Sequence, residues 1–286
     1  MRPEFTCPIF CFALCMFISA SAANDVGNSK EQPLSIVSLQ STKNFTINDL
    51  LARSDVTDIK IEGDVYHGEI KYRAVPLLSL LDLRTSSNHS VLEVRARDGF
   101  IGEIPLSLVE DSLDGGSTAY IAVEEPKNLW PPLPHQTVSA GPFYIVWMHP
   151  EVSGVSHEQA PYQVVSITLV DEAIRRWPQL LPSNHLPNDS PLRYGEKVFE
   201  DYCFPCHQMK RAGVSHLGLD LGLLPGKSTL GSGELRSIIR NPRGGGRSIS
   251  IQMPAFDEKS LLPNQLDALL LYLDSMRSEA SVRSHQ

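Results

Sequence analysis

The sequence predicts an α+β fold in two parts: a β-rich α+β region over residues 34–172 and a small all-α region over residues 191–278. Three observations predict it. Short apolar runs, some alternating with polar residues and bounded by Gly, Pro and loop residues, crowd the first part. From residue 191 onward such runs stop and apolar residues recur at helical spacing. Between the two lies "AIRRWPQLLPSNHLPNDS", residues 173–190, with three prolines and little periodicity, which is the signature of a linker. A length of 286 residues suits about two domains, and 42% hydrophobic against 20% charged residues allows real cores and excludes a disordered chain.

The elements follow in order. The opening "MRPEFTCPIFCFALCMFISASAAND" has a basic Arg2, an apolar run from Phe5 to Ile18 and small residues at Ala20-Ser21-Ala22. That pattern predicts a signal peptide over residues 1–22, exported and cleaved, with an uncleaved anchor as the rival reading. No later apolar stretch is long enough to cross a membrane. "VTDIKIEGDVY" alternates as a strand does, and "VLEVRARDGFIGEIPL" predicts two strands around an Asp98-Gly99 turn. "GPFYIVWM" and "YQVVSITLV" predict buried strands. "TINDLLAR" predicts a helix capped by Thr46, and "AVPLLSLLDL" a second helix with Pro76 near its start. In the second part, "PLRYGEKVFEDYC" predicts a helix opened by Pro191, "SGELRSIIRNP" a helix capped by Ser232 and stopped by Pro242, and "LPNQLDALLLYLDSMRSE" a closing helix. In that closing helix Leu266, Leu269, Leu270, Leu273 and Met276 share one side.

Signal cleavage would remove Cys7, Cys11 and Cys15, leaving Cys203 and Cys206 as the only cysteines. One pair is not a disulfide scaffold. In "CFPCH" it is followed at once by His207, and Cys-x-x-Cys-His is the attachment signature of c-type haem. The spacing has a physical reason: two thiols must reach two vinyl groups on one porphyrin edge, and the adjacent imidazole must then face the iron. Phe204 and Pro205 fill the gap. The rival uses are weaker. Structural zinc wants four ligands, and a redox-active Cys-x-x-Cys should open a helix after a strand, whereas this one ends a helix. A simple disulfide is the third. Met253, in the loop "ISIQMPAFDE", is the candidate ligand for the opposite iron face, with core packing as its plainer reading. His216 is a rival ligand; Met209 stands too close to His207, and Met276 belongs to a core face.

With "CFPCH" go Gly195 and Phe199 before it, then "GLDL" at 218–221, "IIRNP" at 238–242, "MPAF" at 253–256 and Tyr272 in the closing helix. On these pieces residues 191–278 resemble a class I monohaem cytochrome c domain. The resemblance implies one covalent haem c held by Cys203 and Cys206, with His207 and Met253 as axial ligands, and a crossing of the first and last helices at Gly195 with Phe199 and Tyr272 in the contact. It departs at Leu219, where the family has a proline whose carbonyl orients the histidine. Residues 34–172 are similar, more faintly, to the molybdopterin-binding domain of the sulfite oxidase family, through "YRAVPLLSLLDL", "VRARDGFIGEIPLSLV" and "GPFYIVW". That family's molybdenum needs a cysteine thiolate. None lies between Cys15 and Cys203, so molybdenum chemistry is not carried over.

His135, His149 and His157 could assemble a ligand site, and the simpler reading is exposed loop histidines. Trp130 and Trp147 suit either a pocket or the core. A formal net charge of −8 argues against nucleic acid as partner. The expected function is one-electron transfer by an exported c-type cytochrome in a bacterial periplasm, serving redox partner proteins. The alternative is a haem-containing oxidoreductase whose first domain oxidises a small substrate and passes electrons to the haem.

Overall fold

Alternating apolar residues in the first half build two sheets that face each other. The computed structural model describes residues 32–38, 41–63, 65–83, 90–134, 136–182, 186–187, 189–223, 231–244 and 253–283, so the predicted signal segment lies outside the described residues. One sheet takes β1 (Leu34–Val37), β2 (Thr42–Phe45), β5 (Val91–Ala96), β6 (Ile101–Pro105) and β9 (Val164–Val170) in the order β2-β1-β9-β5-β6. The other takes β3 (Thr57–Glu62), β4 (Glu69–Pro76), β7 (Thr118–Val123) and β8 (Phe143–Met148) in the order β3-β4-β7-β8. The pairings are antiparallel except β1 with β9, which is parallel.

Leu34, Leu92, Val94, Ile104 and Ile167 from one sheet meet Val75, Ile121, Phe143, Ile145 and Trp147 from the other in a shared core. The second sheet also buries its outer face, where Tyr72, Tyr144 and Val146 pack under Trp130, Leu133 and Ala140 of a covering loop. Both faces being covered explains why "GPFYIVWM" is apolar at every position from Phe143 to Met148 and does not alternate. Both candidate tryptophans are therefore core residues, and the Trp147 indole N–H donates to the Gln159 carbonyl at 2.8 Å.

Thr46 caps α1 (Ile47–Leu51) in a reciprocal box with Asp49. The helix predicted over "AVPLLSLLDL" is a correction. Arg73–Pro76 pair with Tyr120–Val123 of β7, so the chain stays extended through Pro76, and only Leu77–Leu80 wind into a 3-10 turn. Sheet pairing overrides the leucine spacing there. A further short helix, α2 (Leu106–Glu110), follows β6.

The segment predicted as a linker is partly built structure: α3 (Ala173–Arg176) and a 3-10 turn at Pro178–Leu180. Ala173 and Leu180 are buried in the helical core. The Leu180 carbonyl accepts from the Tyr272 hydroxyl at 2.8 Å, and the Trp177 ring stands edge-on to Phe204 at 5.4 Å between centroids. Arg176 reaches back to Glu93 and Glu103 on the first sheet. These are tertiary contacts without local periodicity, which is why no sequence pattern announces them.

Three longer helices follow: α4 (Pro191–Tyr202), α5 (Ser232–Arg240) and α6 (Pro263–Arg283). The Ser190 hydroxyl accepts from the Arg193 N–H at the start of α4. At α5 the N-cap is Gly231, and Ser232 is already the first helical residue with no side-chain cap, which corrects the predicted cap. Leu266, Leu269, Leu270, Leu273 and Met276 are all buried, as their spacing predicts. α4 crosses α6 at Gly195, where a Cβ would run into the Ala268 carbonyl and lie 2.8 Å from the Tyr272 Cβ. Phe199 and Tyr272 pack beside that crossing at 5.5 Å. The described residues from both halves belong to one compact unit.

Candidate functional site

α4 delivers the two cysteines. Cys203 caps its C-terminus, donating its N–H to Phe199 at 2.9 Å. The Cys206 and His207 N–H groups both donate to the Cys203 carbonyl, at 3.1 and 2.8 Å. This tight turn gathers the three side chains on the end of one helix. Phe204 and Pro205 are buried beneath it, Phe204 against Phe199 and Trp177. The Pro205 carbonyl accepts from the Ile101 N–H of β6 at 3.3 Å, and Leu217 packs 3.6 Å from where a Gly99 Cβ would be. The turn is thus docked on the β5–β6 hairpin of the first half.

Both thiols are free and half-buried. Burial, reinforced by the nearby Glu158 carboxylate, pushes the Cys206 thiol up to about 12 and raises Cys203 as well. Neither sulfur is a thiolate at neutral pH. That weighs against a thioredoxin-like dithiol, which works through a depressed thiol pKa.

The His207 Nδ1 lies 2.8 Å from the Leu219 carbonyl oxygen. Nδ1–H donates to that oxygen, which leaves the Nε2 lone pair available to a metal. Burial holds the imidazole below its ordinary pKa, against the pull of the Leu219 carbonyl, and so favours the neutral ligating form. The departure at Leu219 therefore costs nothing in geometry, since the oxygen that orients the ring belongs to the backbone. Gly218 makes this possible: a Cβ there would lie 2.5 Å from both Nδ1 and Cε1 of His207.

Asp220 fixes the loop, a role sequence reasoning missed. Its Oδ1 accepts from the N–H groups of Lys210 and Gly222, each at 2.9 Å, and its Oδ2 from Arg211 at 2.6 Å. An Asp beside glycines in a loop was the available signal. In the same loop Val214, Leu219 and Leu223 are exposed, Leu219 by 69%. An apolar surface flanks the histidine.

Met253 is partly buried against the helical core. Its loop hangs on the end of α5: the Phe256 N–H donates to Ile239 at 3.1 Å, and Arg240 Nη1 donates to the carbonyls of Phe256, Asp257 and Leu261. Phe256 stands edge-on to Tyr202 at 6.0 Å, at the end of the helix that carries the cysteines. Arg240 is a second residue the sequence did not single out. Met209 and Met276 are fully buried, while His216, His149 and His157 are exposed; His135 lies outside the described residues. Among the described residues no group of three or more His, Cys, Asp or Glu side chains is assembled to hold a metal ion.

No protein-family model matches the chain, and no curated protein matches it significantly. The second half holds side chains of the kinds a covalently attached haem takes: two free thiols and an imidazole with its Nδ1 tethered on the turn after α4, and the Met253 thioether on a separate loop. The first half has no cysteine to supply a molybdenum thiolate, so its residues do not fit that centre.

Proposed function

We propose that the chain is an exported one-electron carrier with a single covalent haem c. The observation that carries the reading is the tethered His207, its Nδ1 bonded to the Leu219 carbonyl on the turn that holds both free thiols. When bound, the haem supplies an iron(III)/iron(II) couple. Cys203 and Cys206 would hold it through thioethers, and His207, its Nδ1 tied to the Leu219 carbonyl beside Gly218, would be its nitrogen ligand. Met253 would supply a thioether ligand, which favours ferrous iron and raises the potential. Exposed Val214, Leu219 and Leu223, in the loop after His207, would offer apolar surface to the porphyrin. The signal pattern at residues 1–22 suggests a bacterial periplasm, with redox proteins as partners. No helix among the described residues is long and apolar enough to cross a membrane.

The test is a pyridine haemochrome assay with oxidised and reduced spectra, on protein from a host that matures c-type cytochromes. The expected result is a covalent haem spectrum with a methionine–iron charge-transfer band that Met253→Ala removes. Colourless protein with both thiols alkylatable overturns the reading. A second reading, a haem oxidoreductase, draws on the docking of Pro205 on Ile101, which joins the attachment turn to the first half. Stoichiometric molybdenum in the purified protein would favour it.

A further inference from the structure

Where α4 passes the first sheet, charged side chains collect in the interface. Glu93 of β5 and Glu103 of β6 are direct cross-strand neighbours, both largely buried. Arg176 bridges them, and Arg95 also pairs with Glu93 at 2.6 Å. From α4 come Glu196, paired with Arg193 at 2.9 Å, and Lys197, paired with Asp201 at 3.0 Å. The remaining acid is Glu200, whose Oε2 shares Lys197 with Asp201 at the longer distance of 3.6 Å. Its side chain is 16% exposed, and its Oε1 is buried with no hydrogen-bond partner. Five carboxylates (Glu93, Glu103, Glu196, Glu200, Asp201) thus share four cations (Arg95, Arg176, Arg193, Lys197). Glu200, one turn before Cys203, holds only a share of Lys197 and keeps Oε1 buried and unpartnered.

The 3-10 turn at His157–Gln159 brings Glu158 toward the cysteines, and α6 keeps Asp267 and Asp274 on Arg236 and Arg277. Protonation would remove the excess negative charge and give the orphaned carboxyl a donor of its own. Burial pushes Glu200 up to about 7, against the pull of Lys197 and with help from Glu196, Glu103 and Asp201. A cleft of about 220 Å³ lined by Ser107, Asp111, Lys197 and Asp201 brings solvent to the cluster.

We propose that Glu200 takes up one proton when the haem iron gains an electron, so that the chain carries the two together. The inference rests on the haem reading above. The balance is simple. Iron(III) accepts one electron from a one-electron protein donor and becomes iron(II), the Glu200 carboxylate accepts one proton from solvent and becomes the acid, and oxidation reverses both. The added electron makes the neighbourhood more negative, which favours the protonated acid.

The experiment is a spectroelectrochemical titration of the holoprotein between pH 5.5 and 8.5. The midpoint potential is expected to fall as pH rises, approaching the tenfold change in equilibrium per pH unit that equals about 59 mV for a one-electron couple. Glu200→Gln, neutral and of the same shape, is expected to flatten the curve at the high potential of the acid end. A flat wild-type curve, or an unchanged slope in the variant, overturns the proposal. Reduced-minus-oxidised infrared spectra of the wild type and Glu200→Gln assign the group, because burial also raises Glu158, near the cysteines, to about 7. A protonated-carboxyl C=O band gained on reduction and lost in the variant supports the proposal, and no band in the wild type, or a band the variant keeps, sinks it. If the protein carries no haem there is no potential to titrate, so the two readings fail separately.

Discussion

In the sheet half, Phe143, Ile145 and Trp147 bury one face of β8 while Tyr144 and Val146 bury the other. In the helical half a comparable set, Leu266, Leu269 and Leu273, buries one side of α6, yet Val214, Leu219 and Leu223 stand exposed in the loop after His207. The first half closes its cores with its own side chains. The second half keeps apolar surface beside a histidine and two thiols. Leu113, Leu129, Val138 and Val152 are exposed in the first half too, so what sets the second half apart is that its exposed Leu219 belongs to a loop tied to a histidine beside two free thiols.

Replacing both Cys203 and Cys206 by Ser is the strongest way to sharpen this contrast. Covalent haem is expected to disappear entirely, read as haem staining of the denatured chain, while the far-ultraviolet β signal of the sheet half persists. Loss of that β signal as well would break the contrast. Arg176→Ala probes the seam between the halves. It leaves Glu93 and Glu103 buried without their shared cation, and a loss of about 3 kcal/mol is expected in urea unfolding.

The seam should also make stability depend on pH. Glu200 is raised from an ordinary 4.5 to about 7 by burial, so the folded chain holds that proton more tightly than the unfolded one. Its contribution is complete below about pH 4.5 and is lost as pH rises through 7, by about 3 kcal/mol at most. Urea midpoints are expected to be higher at pH 5 than at pH 8, and Glu200→Gln to narrow the gap. Gly195→Ala forces a methyl against the Ala268 carbonyl and should cost about 2 kcal/mol, confined to the helical half, as thermal melts followed by helical circular dichroism would register. Least of all, Thr46→Ala removes the α1 cap at about 1 kcal/mol and should leave any haem spectrum untouched.

The sequence carried unequal amounts of this. That Cys203, Cys206 and His207 end a helix together was legible because they are close in the chain, and the crossing at Gly195 beside Tyr272 was legible through the resemblance to a cytochrome c domain. Pro76 misled because strand pairing with Tyr120 decided its conformation. The contacts of Trp177, and of Pro205 with Ile101, were illegible because they are long-range and involve backbone groups that every residue possesses. Glu93 and Glu103 did leave a trace: an acid in each of two largely apolar neighbouring strands calls for cations, which Arg95 and Arg176 supply.

The tie between His207 and residue 219 runs to a main-chain oxygen, so no substitution of the Leu219 side chain can delete it. Sequence drift at that exposed position is silent with respect to imidazole orientation. Control passes instead to the neighbours that set the path of the chain, Gly218 by what it lacks and Asp220 by the three amides it gathers. A lineage could exchange residue 219 freely and still inherit the same aim of the ring.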